Sequence, residues 1–339
     1  MLALLAAGAV WVAGRFAKGL IEALCSPWAF QCWLAFLVSA PLLLLARRWW
    51  FATLALALLA WSTPMALVGD LSLGPVGTGS TVGNGALLKV LHVNLDGTSP
   101  PTAGGVEWIS RTEADLVVLE ELSPAWWTAL AGWSEQFPYQ LVDPAPGVTG
   151  IGVLSRWPIT AEFRQPAAGG FPFIDATVDL SGAPLRVLAV HPVPPVRADA
   201  VARRNAHLEE IAEQAVRAQG PCVVIGDLNE TPYGAPMRVL LEHSGLRSAR
   251  EGRGRLPTWP VHLPAIERRT PTWLMIPIDH VLVSPEVGVE SFETGPAIGS
   301  DHLPVMATLR VGAVAVGCHG LGCHGLSGRD ERVMYIRTA

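Results

Sequence analysis

The apolar residues of this 339-residue chain are spread unevenly, and that unevenness divides it before any other feature does. Three apolar stretches, Leu2 to Ala13, Trp28 to Ala46 and Phe51 to Val68, crowd the N-terminal fifth. Crossing ~30 Å of hydrocarbon takes about 20 predominantly apolar residues. The second and third stretches approach that length. A signal peptide accounts for one such stretch, not three. A buried hairpin in a soluble fold rarely runs this long without charge. The expectation is a transmembrane segment over residues 1–68, with two to three spans. The lipid bilayer then becomes a partner, and the protein a multi-pass resident of the cell membrane. Arg47 and Arg48, between the second and third stretches, prefer the cytoplasm and would put the following domain outside. Arg15 and Lys18 pull the other way. An extracytoplasmic domain is the expectation.

Residues 69–86, which include GDLSLGPVGTGSTVGNG, form a flexible Gly/Ser-type linker. Its Gly77-Thr78-Gly79 follows no strand and lacks nucleotide-loop spacing. Only 16% of all residues are charged, below the ~25% usual for soluble domains, and the shortfall lies in the apolar segment. Residues 71–311 carry 17 Lys+Arg against 25 Asp+Glu, a net charge of −8. Tight duplex binding usually needs a basic face, so this balance argues mildly against a dedicated DNA binder. The five cysteines make no disulfide framework.

Beyond the linker, strand-like and helix-like segments alternate. Leu87–Leu95, Asp115–Leu119, Gly150–Leu154, Phe173–Leu180, Leu185–Val190 and Cys222–Ile225 read as strands. So do Ile278–Ser284, Gly288–Phe292 and Val305–Val311. Gly105–Arg111, Pro124–Leu130, Arg197–Arg217 and Ala235–Leu241 read as helices. Val201, Leu208, Ile211 and Ala215 mark one face of the third helix. Many strands and few helices give an α/β (α+β) domain over residues 87–311, two packed sheets with helices on their outer faces.

Polar residues then fall where the apolar strands end. Asn94 and Asp96 close LHVNLD, Glu120 and Glu121 close VVLEE, and His191 follows LAV. Asp227 and Asn229 lie in GDLN, Asp279 and His280 open IDHVLVS, and Asp301 and His302 precede the last strand in SDHLPV. Taken singly, each is an ordinary turn former, cap or loop residue. Recurrence at strand ends within one domain weakens that reading. Phosphoester hydrolysis gives the set a common reason. It needs a hard cation held by carboxylate and amide oxygens, a group that activates water, and donors for the phosphate oxygens.

The ordered set LHVN, LEE, GIGVLSRWPI, VHPVPP, GDLNETP, IDHVLVS and SDHLPV resembles the endonuclease/exonuclease/phosphatase superfamily, which has the deoxyribonuclease-I-like fold. The apolar N-terminus is similar to a membrane-attached bacterial branch. The resemblance implies a four-layer sandwich and a divalent cofactor, Mg²⁺ or Mn²⁺, with one metal or two left open. It implies Glu121 as the metal-binding glutamate, Asn94 beside metal and phosphate, and Asp301 as a second metal-side carboxylate. Asp96 matches an aspartate of some branches only. Asp227 would activate or position the attacking water, and Asn229 would hold a phosphate oxygen. His302 would be the catalytic histidine, oriented by Asp279, and His191 would contact the phosphate or protonate the leaving oxygen. His280 is given no chemistry. Glu120 stands where the family usually has Gln, and Pro277 where many relatives have Arg. Arg156 either fixes a loop near the site or is a surface residue.

The expected activity is metal-dependent hydrolysis of a phosphoester, whether in nucleic acid, a phospholipid head group or a small phosphate ester. The alternative is a catalytically inactive, membrane-anchored binding module of the same fold. Trp126, Trp127, Trp133, Trp157, Trp259 and Trp273 are expected mainly in the core. The tail, residues 312–339, repeats GCHGL at 317–321 and 322–326. That spacing matches no common zinc site, and a disordered tail is the expectation. Oligomeric state is left open.

Overall fold

The computed structural model describes residues 2–66, 85–263 and 268–312. Most of the linker and tail, the GCHGL repeat included, lies outside the described residues. The N-terminal part folds as helices α1 (Leu2–Phe16), α2 (Leu20–Cys25), α3 (Ala29–Leu45) and α4 (Trp49–Ala66), with a single 3₁₀ turn at Ser26–Trp28. Helices α5 (Ala103–Arg111), α6 (Pro124–Ala129), α7 (Trp133–Gln136), α8 (Ala198–Val216) and α9 (Ala235–Ser244) follow among the strands.

The strands are β1 (Ala86–Asn94), β2 (Leu116–Glu120), β3 (Tyr139–Asp143), β4 (Ile151–Ser155), β5 (Ile159–Arg164), β6 (Phe173–Asp179) and β7 (Pro184–Ala189). After these come β8 (Cys222–Asp227), β9 (Arg247–Ser248), β10 (His262–Leu263), β11 (Arg268–Arg269), β12 (Asp279–Val283), β13 (Val287–Thr294) and β14 (Val305–Val311). One six-stranded sheet has the order β13-β14-β1-β2-β4-β3, the other β5-β6-β7-β8-β12-β9. Each contains one parallel pair, β1 with β2 and β7 with β8.

The layers follow from the strand faces. Side chains alternate across a strand, so β1 turns Leu88 and Val90 to the opposite sheet and Leu91 and Val93 outward. Leu88, Val90, Val118, Val187, Ile225 and Val281 share the core between the sheets. Leu91, Val93 and Leu119 pack outward against Ile109, Trp126 and Phe137 of the α5–α7 layer. Leu188, Val190 and Val224 pack against Leu208, Ile211 and Leu240 of α8 and α9. Burying each such side chain contributes roughly 1.5–3 kcal/mol. The result is the expected four-layer sandwich. Trp126 and Trp133 are core residues, as expected, while Trp273 is exposed.

Strands β3 and β5 escape sequence reading because both edge a sheet and are partly solvated, which blurs alternation. Local chemistry sets helix starts. Thr102 Oγ1 accepts the Gly105 N–H at 3.1 Å before α5, and Ser123 Oγ accepts the Trp126 N–H at 3.3 Å before α6.

Among the described residues, one helical stretch, Leu20–Leu45, is long and apolar enough to cross a membrane. Leu2–Phe16 and Trp49–Thr63 are shorter apolar helices. At 1.5 Å per residue, the 15 residues of Leu2–Phe16 reach only about 22 Å. The two to three spans expected thus reduce to one candidate span. The N-terminal helices cluster through Leu4, Trp11, Cys32, Phe36 and Ala55, and Tyr233 of the sandwich joins them.

Candidate active site

Sheet register brings the polar strand ends together. Asn94 ends β1 directly beside Glu120, which ends β2. Asp227 ends β8 directly opposite Asp279, which opens β12. The facing sheets then set these two pairs against each other. Asn94 Nδ2 donates to Glu121 Oε1 at 3.1 Å and to Asp227 Oδ2 at 3.4 Å. The Asp227 N–H donates to Glu120 Oε2 at 2.9 Å, across the two sheets.

Glu121 turns into the site through a left-handed backbone, φ 51°. Its Oε2 accepts the Gly97 N–H at 3.2 Å. Only glycine permits that approach, because a Cβ on Gly97 would lie 2.0 Å from the Gly147 carbonyl oxygen. Burial pushes Glu121 up to about 7, with Asn94 and His302 pulling back. A cation beside it would restore the anion. Glu121, Asn94 and Asp301 offer hard oxygen donors suited to Mg²⁺ or Mn²⁺. Among the described residues, no three His, Cys, Asp or Glu side chains converge to hold a metal unaided. One or two carboxylates completed by water and substrate oxygens is the arrangement Mg²⁺ commonly takes, so the donor set fits.

His302 is fixed from one side, where its Nδ1 donates to Asp279 Oδ2 at 2.9 Å. Its Nε2 lies 3.6 Å from Asp227 Oδ2 and 3.9 Å from Asp301 Oδ1. Burial disfavours charge on His302, yet Asp279 and Asp227 outweigh it and push the ring up to about 10. Burial would raise Asp279 as well, but His302 holds it well below the usual carboxylate range. Burial pushes Asp227 well above that range, and His302 opposes the shift.

His191 Nε2 sits 3.8 Å from Asp227 Oδ2 and 3.9 Å from Glu121 Oε1. Burial and then the neighbouring His302 push it down to about 3, so it is neutral near pH 7. Asn229 is left-handed, φ 49°. Its N–H donates to Asp227 Oδ1 at 2.8 Å and its Nδ2 to the Pro192 carbonyl at 3.0 Å. Asp301 is 44% exposed at its side chain and accepts the Trp259 Nε1–H at 2.9 Å. All eight residues singled out as catalytic or metal-binding therefore meet in one region.

Three other polar residues at strand ends or loops do different work. Asp96 spends its carboxylate on Thr98 Oγ1 at 2.6 Å and Ser99 Oγ at 2.5 Å, which closes a local turn. His280 donates Nε2–H to the Glu230 carbonyl at 2.8 Å, within the protein. Arg156 lies 3.7 Å from Asp115, at the start of β2 and thus the opposite end from Glu120.

Sequence reading missed His92 and Arg204. His92, in the middle of β1, is fully buried with Nε2 3.1 Å from Glu120 Oε2 and Nδ1 3.5 Å from Asp279 Oδ1. Burial opposes its charge, but Glu120 and Asp279 win and raise it. An inward polar position in an apolar strand was its signal. Arg204 is buried in α8, donating Nη1–H to the Asn229 carbonyl at 2.6 Å and lying 2.7 Å from Glu230 Oε2. It falls between Val201 and Leu208 on the apolar face, and a charge there was the signal.

A cavity of about 390 Å³ opens over these groups and is lined by Glu121, Asp227, Asn229, Asp301 and His302. A two-sheet sandwich with acids, amides and imidazoles at the strand ends defines the class. The family model described as "Endonuclease/Exonuclease/phosphatase family" matches residues 92–302. The chain belongs to that family, and so to a group of hydrolases acting on phosphoester bonds. An endonuclease/exonuclease/phosphatase from Beutenbergia cavernae is similar in structure, with TM-score 0.53 and 21% identity over 67% of this chain and 72% of that one. D. rerio TDP2, complexed with a single-strand DNA product, has TM-score 0.55 and 16% identity over 67% of this chain and 100% of that one. No curated protein matches the sequence.

Proposed function

We propose that this protein is a membrane-anchored, metal-dependent phosphoester hydrolase that uses water as the nucleophile. The observation carrying the reading is the convergence of Glu121, Asp227 and His302 on one cavity, with Asp279 locked to His302 at 2.9 Å. Glu121 would hold Mg²⁺ or Mn²⁺, with Asn94 and Asp301 beside it. Such an ion, when bound, neutralises charge on a phosphate oxygen. Asp227 accepts a proton from the attacking water, and its burial raises its basicity. His302, held as an imidazolium by Asp279, donates from Nε2 to the charge that develops on phosphorus-bound oxygen. Asn229 positions Asp227 through its N–H. His191, 3.8 Å from Asp227 and 3.9 Å from Glu121, sits where it would contact the phosphate. The leaving oxygen takes its proton from His302 Nε2.

Anchoring rests on Leu20–Leu45 and on the large apolar side chains exposed along residues 2–61, among them Leu2, Leu45 and Trp50. Water is a poor solvent for such a surface. The domain boundaries at residues 68, 86 and 311 and the outer sidedness belong to the same proposal.

The test is hydrolysis of bis-nitrophenyl phosphate by purified full-length protein. Activity should require Mg²⁺ or Mn²⁺, vanish with EDTA, and fall ~10²-fold or more in Asp227→Ala or His302→Ala. Wild-type rates in either variant would remove its assigned role. An inactive binding module would show no turnover at all.

A further inference from the structure

The cavity over the catalytic groups is not closed by the sandwich alone. Leu24, Pro27 and Trp28, at the start of the candidate span, line it together with Pro195 and Val196. We infer that the substrate is a membrane amphiphile, a phospholipid whose phosphoester reaches Asp227 and His302 while its apolar part lies along Leu24, Trp28 and Val196. This rests on the hydrolase reading above and adds the substrate class.

The wall is docked, not merely tethered. Glu22 Oε1 accepts the Ala235 N–H at 3.2 Å, at the first turn of α9. Gln31 Nε2 donates to the Trp273 carbonyl at 3.1 Å. The Arg255 guanidinium sits 4.2 Å over the Phe30 ring. Tyr233, three residues past the Arg204 partner Glu230, packs with Trp11 and Ala29. These contacts bracket residues 24–28 on both sides and hold them at the cavity.

The wall is also apolar and open. Leu24 is 55% exposed, Trp28 36% and Val196 71%. Apolar groups left exposed at a cavity rim mark a surface meant for an apolar ligand. The same helical stretch continues into the apolar residues of the candidate span, so the rim adjoins the segment proposed to meet lipid. The floor, in contrast, carries the carboxylates and imidazoles. That gradient matches a molecule polar at its phosphate and apolar beyond it.

Electrostatics oppose a polynucleotide here. Flanking phosphates need a track of cations. Among the described residues that line the cavity, Arg204 is the one Arg or Lys, and it is buried against Glu230.

The reaction balances as hydrolysis. A P–O bond forms to the water oxygen and the P–O bond to the leaving alcohol breaks. The water proton passes to Asp227, and the leaving oxygen takes a proton from His302. The products are a phosphomonoester and an alcohol.

The experiment compares three substrates with Mg²⁺ and full-length protein in detergent. They are mixed phosphatidylcholine–phosphatidylglycerol vesicles, bis-nitrophenyl phosphate and a single-stranded oligonucleotide. Phosphoester release from vesicles should exceed release from the oligonucleotide. The variants Leu24→Ser, Trp28→Ala and Val196→Ser should each lower the ratio of vesicle to bis-nitrophenyl phosphate turnover about tenfold, since each removes roughly one apolar side chain's contact. Val196 is surface-exposed, so its variant is insulated from folding defects. Cleavage of bis-nitrophenyl phosphate with vesicles untouched, faster oligonucleotide cleavage, or an unchanged ratio in all three variants would overturn the lipid assignment and leave the hydrolase reading standing. No turnover of any substrate would overturn both.

Discussion

His92 joins two otherwise separate carboxylates. It lies between Glu120 and Asp279, and Asp279 in turn holds His302. A chain of acids and imidazoles thus runs under the site from Glu120 on β2 to His302. Removing the middle member leaves two buried carboxylates without their partner. His92→Leu should cost about 3–5 kcal/mol of stability by denaturant unfolding. Adding Glu120→Gln should recover much of that loss, because Gln still accepts the Asp227 N–H and carries no charge. Additive losses in the double-mutant cycle would show that the two do not act as a pair. His302 yields a pH prediction. The proposed mechanism needs its protonated form, so activity should hold below its folded pKa, about 10, and be lost above it. Asp279→Asn removes the larger of the two opposing charges. The basic limb of the kcat/KM profile should therefore move to lower pH; a limb that stays in place would separate His302 from that limb.

Helix α8 shows how an element can be read correctly and still hide a function. Its periodicity marks a buried face, and the structure buries Val201, Leu208 and Ile211 there. The same face carries Arg204 and His207. Arg204 grips the loop that presents Asn229. His207 packs tilted against Phe173, ring centroids 5.3 Å apart, and burial lowers it to about 4. A folded-state pKa below the unfolded value of 6.5 means the unfolded chain takes up the proton first. Stability is therefore full above about pH 6.5 and declines as pH falls toward 4, by up to ~3 kcal/mol from this residue. His207→Leu should flatten that acid decline in melting temperature against pH. An identical slope in the variant would assign the decline to other groups.

At the scale of the molecule, the N-terminal helices and the sandwich share the wall of one cavity. Full-length protein should sediment with membranes, resist high salt and alkaline carbonate, and enter solution only with detergent. Release by salt alone would make the attachment peripheral. Much of this architecture was legible beforehand. Alternating apolar runs gave the central strands, because each buries one or both faces and must be apolar there. Edge strands β3 and β5 were not legible, since solvent on one side relaxes that demand. The site residues were visible as acids, amides and imidazoles placed at the ends of those strands, and the resemblance to a family assigned their roles. His92 and Arg204 were not found, because burial and pairing decide their significance, and neither is a property of sequence spacing. Of the two to three spans expected, the described residues hold one candidate, since apolar length along the chain does not say where a helix stops. The linear order of residues determined which groups could do chemistry, through local periodicity and residue type. Only the tertiary structure decided that Asn94 meets Asp227, 133 positions apart, and that Leu24 faces the catalytic cavity. Those pairings arise from sheet register and helix docking, which depend on packing free energy summed over the whole fold and not on any local stretch of chain.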